Sequence, residues 1–264
     1  MGTPFRKMHG LGNDFAIFDA RHAEIPMPED RVRLLADRRL GIGCDQLIRL
    51  ELSARADVFM RIYNPDGSES GACGNATRCV AHLLGGDVVI ETTAGLLKAA
   101  RAGEGISVDM GAPRFGWNEV PLAYAMDTRE LPVSWGELER PVAVNMGNPH
   151  AVFFVADVNA VPLETLGPEI EHDPLFPERV NVNVAALVGP DRLALRVWER
   201  GAGLTLACGS GACATFAAAR RRGLVGPSAT ISLPGGELVI SETAAGTLLM
   251  TGPIATSYVG ETAL

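Results

Sequence analysis

The sequence predicts an α+β protein built as two pseudo-symmetric domains, each a curled mixed β-sheet around a central helix, with its site in the cleft between them. Three observations carry that expectation. The chain has 264 residues, 47% of them hydrophobic, which supplies two modest cores. It repeats itself at an offset of 135 residues. One segment, around residues 211–222, is apolar nearly all round, as a helix enclosed by its own domain must be.

The repeat is read from four matches in one register. Gly12-Asn13-Asp14-Phe15 falls on Gly147-Asn148-Pro149-His150, and Gln46 on Asn181. Arg61-Ile62-Tyr63-Asn64 falls on Arg196-Val197-Trp198-Glu199, and Ala72-Cys73-Gly74-Asn75 on Ala207-Cys208-Gly209-Ser210. Further on the register slips by five or six residues: Thr93-Ala94-Gly95 matches Pro234-Gly235-Gly236, and Met110-Gly111-Ala112-Pro113 matches Met250-Thr251-Gly252-Pro253. Such a period is too long for a solenoid and marks a duplicated domain. The expected halves are 1–116 and 117–255, with a strand at 256–264 returning to the first.

Within the first half, short runs bounded by Gly, Asn and Pro predict strands over 15–19, 58–63, 88–91 and 106–110. Arg31 to Leu40 has helical periodicity behind Glu29-Asp30 and stops at Gly41. Asn75 to Leu84 reads as a helix halted by Gly85-Gly86. Gly211 to Arg222 reads as its counterpart, ending in three arginines that suit the negative end of the helix dipole, then Gly223.

Composition narrows the chemistry. The net charge of −8 gives no footing for nucleic acid or an anionic membrane surface, and no apolar window is long enough to span a membrane, so a cytoplasmic protein is expected. Lys7 and Lys98 are the only lysines, which counts against Schiff-base chemistry. The five cysteines form no CxxC pair and the histidines no HExxH cluster, so neither a disulfide framework nor a metal is expected; no cofactor is called for.

Cys73 and Cys208 stand at equivalent points of the repeat, each opening a helix and each followed by glycine and a small polar residue. The first amides of a helix are unpaired and partially positive, so they bind an anion and favour a thiolate; such settings lower a thiol pKa. Gly74 and Gly209 let a ligand approach the backbone. Two such cradles facing each other suit the inversion of a stereocentre, one sulfur taking a proton from one face while the other delivers one to the opposite face. Taken singly, a cysteine is more often a small buried hydrophobe, and that is the reading for Cys44, Cys79 and Cys213.

Around the pair, Asn13 and Asn148 follow glycines, where a left-handed or Asx-turn role competes with a binding one. His150 can be a satisfied core histidine or can tune a thiol. In Asn64-Pro65-Asp66-Gly67 the last two residues read as turn formers, leaving Asn64 for the cleft. Glu199 and Arg200 can both reach a ligand only if their strand breaks, for which Gly201 and Gly203 provide.

The chain resembles the diaminopimelate epimerases over its whole length. The resemblance rests on Lys7-Met8-His9-Gly10-Leu11-Gly12-Asn13-Asp14-Phe15, Gly41-Ile42-Gly43-Cys44-Asp45-Gln46, Tyr63-Asn64-Pro65-Asp66-Gly67-Ser68-Glu69 and Cys73-Gly74-Asn75. In the second half it rests on Met146-Gly147-Asn148-Pro149-His150, Pro177-Glu178-Arg179-Val180-Asn181, Glu199-Arg200-Gly201-Ala202-Gly203, Ala207-Cys208-Gly209-Ser210-Gly211-Ala212-Cys213 and Leu233-Pro234-Gly235-Gly236. It implies a cofactor-independent enzyme of lysine and peptidoglycan precursor synthesis in which Cys73 and Cys208 transfer protons. It further implies that amides of Gly74, Asn75, Gly209 and Ser210 hold the reacting carboxylate, and that Asn13, Gln46, Asn64, Asn148, Asn181, Glu199 and Arg200 hold the rest of the substrate. His150 and Glu199 would tune the thiols, and Tyr258 would lie in a homodimer interface. Ala76-Thr77 departs from the glycine usual in the family after Cys-Gly-Asn. The rival readings are a proline racemase-like or hydroxyproline epimerase-like enzyme, a protein like those of phenazine biosynthesis, and a noncatalytic amino acid binder. Asn75 and the Glu199-Arg200-Gly201 run favour the first resemblance.

Overall fold

The repeat survives in three dimensions as a repeated pattern of strand pairing. The computed structural model describes residues 2–263 and divides them into two compact units, one running to Asp109 and resuming at Thr251, the other Met110–Met250. Met1 and Leu264, included in the expected first half, lie outside the described residues.

The first unit runs β1 (Thr3–Gly10), β2 (Asn13–Asp19), α1 (Glu29–Ala36), β3 (Gln46–Glu51), β4 (Val58–Tyr63), β5 (Glu69–Ser70), α2 (Gly74–Leu83), β6 (Val88–Thr92), β7 (Gly95–Ala102) and β8 (Gly105–Asp109). The second runs β9 (Ser134–Trp135), β10 (Leu138–Glu139), β11 (Val142–Asn145), β12 (Pro149–Phe154), α3 (Leu163–Glu171), β13 (Asn181–Gly189), β14 (Arg192–Glu199), β15 (Gly203–Thr205), α4 (Gly209–Arg221), β16 (Ser228–Leu233) and β17 (Gly236–Glu242), and the chain passes back to the first within β18 (Leu248–Gly252). Finally β19 (Ala255–Thr262) pairs antiparallel with β1, Thr3 opposite Thr262.

Strand register reproduces the sequence offset. β2 and β3 are parallel with Phe15 opposite Gln46, and β12 and β13 are parallel with His150 opposite Asn181. Leu47 faces Tyr63 across an antiparallel pair, as Val182 faces Trp198. After the helices Ile90 pairs with Leu97 and Ile231 with Leu238, so the offset has grown by six residues. Three of the six are in α4, which has 13 residues against 10 in α2; two lie in the connection that follows, residues 222–227 against 84–87, and one is the extra first residue of β16.

Each central helix is wrapped by its own sheet. Seven consecutive residues of α2, Asn75–Ala81, are buried, a span that covers the whole circumference, and the helix packs on β1, β6, β7 and β8. α4 packs on β11, β12, β13, β14, β16 and β17. Both helices end in a Schellman motif: the amide of Gly86 bonds Ala81 O and that of Leu224 bonds Ala219 O, with Gly85 and Gly223 at positive φ. The sheet's other face is covered in turn. α1 joins Ala16, Phe18, Leu47 and Tyr63 in one core, and α3 joins Phe153, Val182 and Val184 in another. Burial of both faces explains the continuous apolar run Phe15–Phe18 where a one-sided sheet would alternate.

Residues 110–116 pack with the second unit, where the Arg114 and Asn145 backbones bond in both directions and Phe115 O accepts from Thr128 Oγ1. One expectation is corrected. The first helix ends at Ala36 rather than Leu40, because Asp37 Oδ1 accepts from the amides of Arg39 and Leu40, both at 2.7 Å. The chain then folds back over the helix end, and the amides of Ile42 and Gly43 take up Leu35 O. A methyl on Gly41 would lie 2.0 Å from Leu34 O. Among the described residues no helix is long and apolar enough to cross a membrane. Gly41→Ala is expected to cost more than about 2 kcal/mol of stability, read as a lower urea midpoint at unchanged slope; an unchanged midpoint would show that this return loop does not need its glycine.

Candidate active site

Both cysteines singled out by the repeat are helix N-caps. Cys73 precedes α2 with φ −149° and ψ 111°, and Cys208 precedes α4 with φ −122° and ψ 110°. Extended backbone at this point turns the chain into the helix and leaves the amides of the first turn directed outward. Gly74, Asn75, Gly209 and Ser210 are the first two residues of the two helices. Cys44, Cys79 and Cys213 are buried core residues, and burial drives the Cys44 thiol up to about 11.

In the first unit the turn between β1 and β2 places its positive φ at Leu11 and Gly12, which leaves Asn13 in the strand with its side chain free of turn duties. Asn13 Nδ2 donates to Asp45 Oδ2 at 2.9 Å, and its Oδ1 accepts from Asn75 Nδ2 at 3.0 Å. The same Oδ1 lies 3.8 Å from Cys73 Sγ. A carboxylate can only accept, so the Asn13 amide has one orientation. Asp45 is itself held by Arg38, which also bonds Asp14, and Lys7 completes the cluster on Asp14. Gln46 donates to Asn64 Oδ1 at 3.1 Å, and Asn64 Nδ2 donates to Ser68 Oγ at 3.0 Å. Asp66 and Gly67 form the turn, Gly67 at φ +88°.

The second unit uses different groups. Here too the positive φ is at the glycine, Gly147, and Asn148 is released from the turn. His150 is fully buried, its Nδ1 3.1 Å from Asn183 Oδ1 and its Nε2 2.9 Å from Asn148 Oδ1. Burial lowers its pKa to about 4, with a further push from Arg200, so it is neutral at neutral pH. Asn183 Nδ2 donates to Gly211 O and Thr215 Oγ1, which makes Asn183 Oδ1 the acceptor and places the imidazole proton on Nδ1. Nε2 is then a lone pair, and the Asn148 contact is a hydrogen bond only with the amide turned to present Nδ2. Asn181 is spent on the backbone: Nδ2 donates to Pro149 O at 2.8 Å and Oδ1 accepts from the Arg200 amide at 2.9 Å. The strand does break after Glu199, with Gly201 and Gly203 at positive φ. Arg200 Nη1 donates to Glu178 O, and Glu199 Oε1 accepts from Thr205.

At Cys208 burial opposes the helix N-terminus. Burial raises the thiol pKa well above the usual value and the Glu199 carboxylate adds to this, outweighing the Gly211 amide at 3.3 Å and Ser210 Oγ at 3.5 Å. Cys208 is a thiol at neutral pH. The repeat places Ala76 where the second half has Gly211, whose absent Cβ would fall 3.2 Å from Cys208 Sγ.

Sequence reasoning missed Asp45, Arg78, Asn183 and Thr215. Asn183 had a signal, since polar Asn181 and Asn183 alternate with Val182 and Val184 and so share one strand face. Asp45, beside Gln46, and Arg78, within an apolar helix, had only their neighbours to draw attention to them.

The fold, taken whole, is shared by proteins of known structure. A PhzF-family phenazine biosynthesis protein of Bacillus anthracis matches with TM-score 0.73 at 15% identity, covering 100% of both chains. A probable proline racemase of Agrobacterium radiobacter matches with TM-score 0.71 at 19% identity, covering 99% of this chain and 93% of that one. Sequence goes further. The family model described as diaminopimelate epimerase matches residues 5–116 and 142–256. Curated diaminopimelate epimerases of Erythrobacter litoralis and Rhizorhabdus wittichii are 59% and 57% identical, over 98% and 100% of this chain and 97% of each relative. The chain belongs to the diaminopimelate epimerase family, a family of isomerases.

The neutral state of His150 has a measurable cost in acid. Its folded pKa lies below the unfolded value of about 6.5, so the unfolded chain binds the extra proton first, and stability present above pH 6.5 is lost as pH falls toward 4. Between pH 6.5 and 5 the loss is about 1.5 kcal/mol, and His150→Gln removes it; parallel pH–stability curves for the two proteins would contradict the assignment.

Proposed function

We propose that the protein interconverts LL- and meso-diaminopimelate by proton transfer at the α-carbon between Cys73 and Cys208, serving lysine and peptidoglycan precursor synthesis in the cytoplasm. The observation that carries this reading is the equivalence of the two cysteines, each the N-cap of the central helix of its unit, in a chain so close to curated diaminopimelate epimerases. One thiolate takes the α-proton, forming S–H as C–H breaks, and the electron pair spreads into the carboxylate. Amides of Gly74, Asn75, Gly209 and Ser210 stabilise that charge as it grows. The second thiol then gives its proton to the opposite face and becomes the thiolate. The raised pKa of Cys208 suits it to the donor's role in the direction that begins with Cys73 ionised.

The remaining polar set belongs to the same proposal. Asn13, Gln46, Asn64, Asn148, Asn181, Glu199 and Arg200 position the substrate, Asn181 by way of the Arg200 backbone, while Glu199 acts directly on Cys208 and His150 acts through Asn148. A homodimer using Tyr258 completes it: this tyrosine is 47% exposed on β19, its ring edge against Phe5 at 5.9 Å.

In deuterium oxide, LL-diaminopimelate should yield meso product carrying one α-deuterium; recovery of unlabelled, unchanged substrate would reject the reading. Cys73→Ala and Cys208→Ala should each lower kcat by about 10²- to 10⁴-fold with KM little altered, and retention of full activity by either variant would remove that thiol from the mechanism. Glu199→Gln in a Cys73→Ala background should move the pH profile of Cys208 alkylation to lower pH, because a negative charge beside the sulfur is gone.

A further inference from the structure

Arg78 is the largest fully buried side chain among the described residues. A guanidinium stays charged at every working pH, and enclosing it carries a desolvation penalty that its partners must offset. The fold makes room for it: a methyl on Gly10 of β1 would lie 2.9 Å from Nη2. That nitrogen donates to Asn75 Oδ1 at 2.9 Å. Asn75 passes the constraint on through Nδ2 to Asn13 Oδ1 at 3.0 Å, the oxygen that also faces Cys73 Sγ at 3.8 Å. Asn13 is clamped at its other end by Asp45 at 2.9 Å. Both polar ends of the Asn75 side chain are therefore committed within the protein, and the residue's backbone amide sits in the first turn of α2 with its rotamer fixed. The second unit has no counterpart to this arginine: the repeat puts Cys213 at the position of Arg78 and Ser210 at that of Asn75, and His150 holds Asn148 instead.

We propose that Arg78 is a positioning residue for the Cys73 half of the reaction, acting through Asn75 to hold Asn13 against the sulfur. The role in catalysis rests on the function proposed above; the positioning itself does not. Acting through Asn75 means that the two residues form one unit, so their losses should not multiply. Arg78→Met is expected to lower kcat about 30-fold with KM changed less than threefold, Asn75→Ser by a similar factor, and the double variant no more than the worse single. Arg78→Lys should recover a large part of the loss, since an ammonium can still donate to Asn75 Oδ1. Gly10→Ala, which displaces the guanidinium without removing it, keeps the idea testable if the methionine variant does not fold; it should lower kcat severalfold alone and not at all in the Asn75→Ser background. A readout without substrate accompanies these: by NMR, exchange of the Asn13 and Asn75 side-chain amide protons should quicken at least tenfold in Arg78→Met or Gly10→Ala while that of Asn148 does not change. Losses that multiply, or amide exchange left as in the wild type, would overturn the proposal. If the wild-type protein has no activity on diaminopimelate, the functional reading fails, and the exchange rates alone still decide whether Arg78 positions Asn13.

Discussion

The structure depends on enclosing a whole helix. A helix buried on every side has its backbone satisfied along its length, but the amides of its first turn must find partners beyond it. In both units a cysteine stands at that end as the N-cap and glycine follows it. The Schellman endings, the covering helices α1 and α3, and sheets apolar on both faces all serve to keep the central helix surrounded.

Duplication supplied two copies of this arrangement, and substitution then made them unlike. The first unit supports its asparagine with ions: Asp45 and Arg38 on one side, Asn75 and Arg78 on the other. The second uses neutral groups, His150, Asn183 and Thr215, and places its carboxylate, Glu199, beside the sulfur. Equivalent positions in the backbone thus come with different polar partners.

Much of this was legible in the chain. The offset of 135 residues, the enclosed character of residues 211–222 and the stops at Gly85-Gly86 and Gly223 correspond to features of the fold, and the core roles of Cys44, Cys79 and Cys213 followed from their neighbours. The first helix is shorter than its periodicity because Asp37, an acceptable helix residue by propensity, turns its carboxylate onto the amides of Arg39 and Leu40. Asn13 and Asn148 are ambiguous in sequence because a residue after glycine suits a turn, and only the observed φ values show the left-handed positions falling before them, at Leu11 and Gly12 and at Gly147.

Sequence by itself determined the duplication, the place of each thiol at the head of a helix, and the family, because these depend on order and spacing along the chain. Tertiary structure decided the ionisation of Cys208, the neutrality of His150, the single orientation of Asn13 and the burial of Arg78. The reason is physical. The free energy of a charge or an amide is set by the groups within a few ångströms of it. Asp45 reaches Asn13 across 32 positions of the chain and Asn183 reaches His150 across 33.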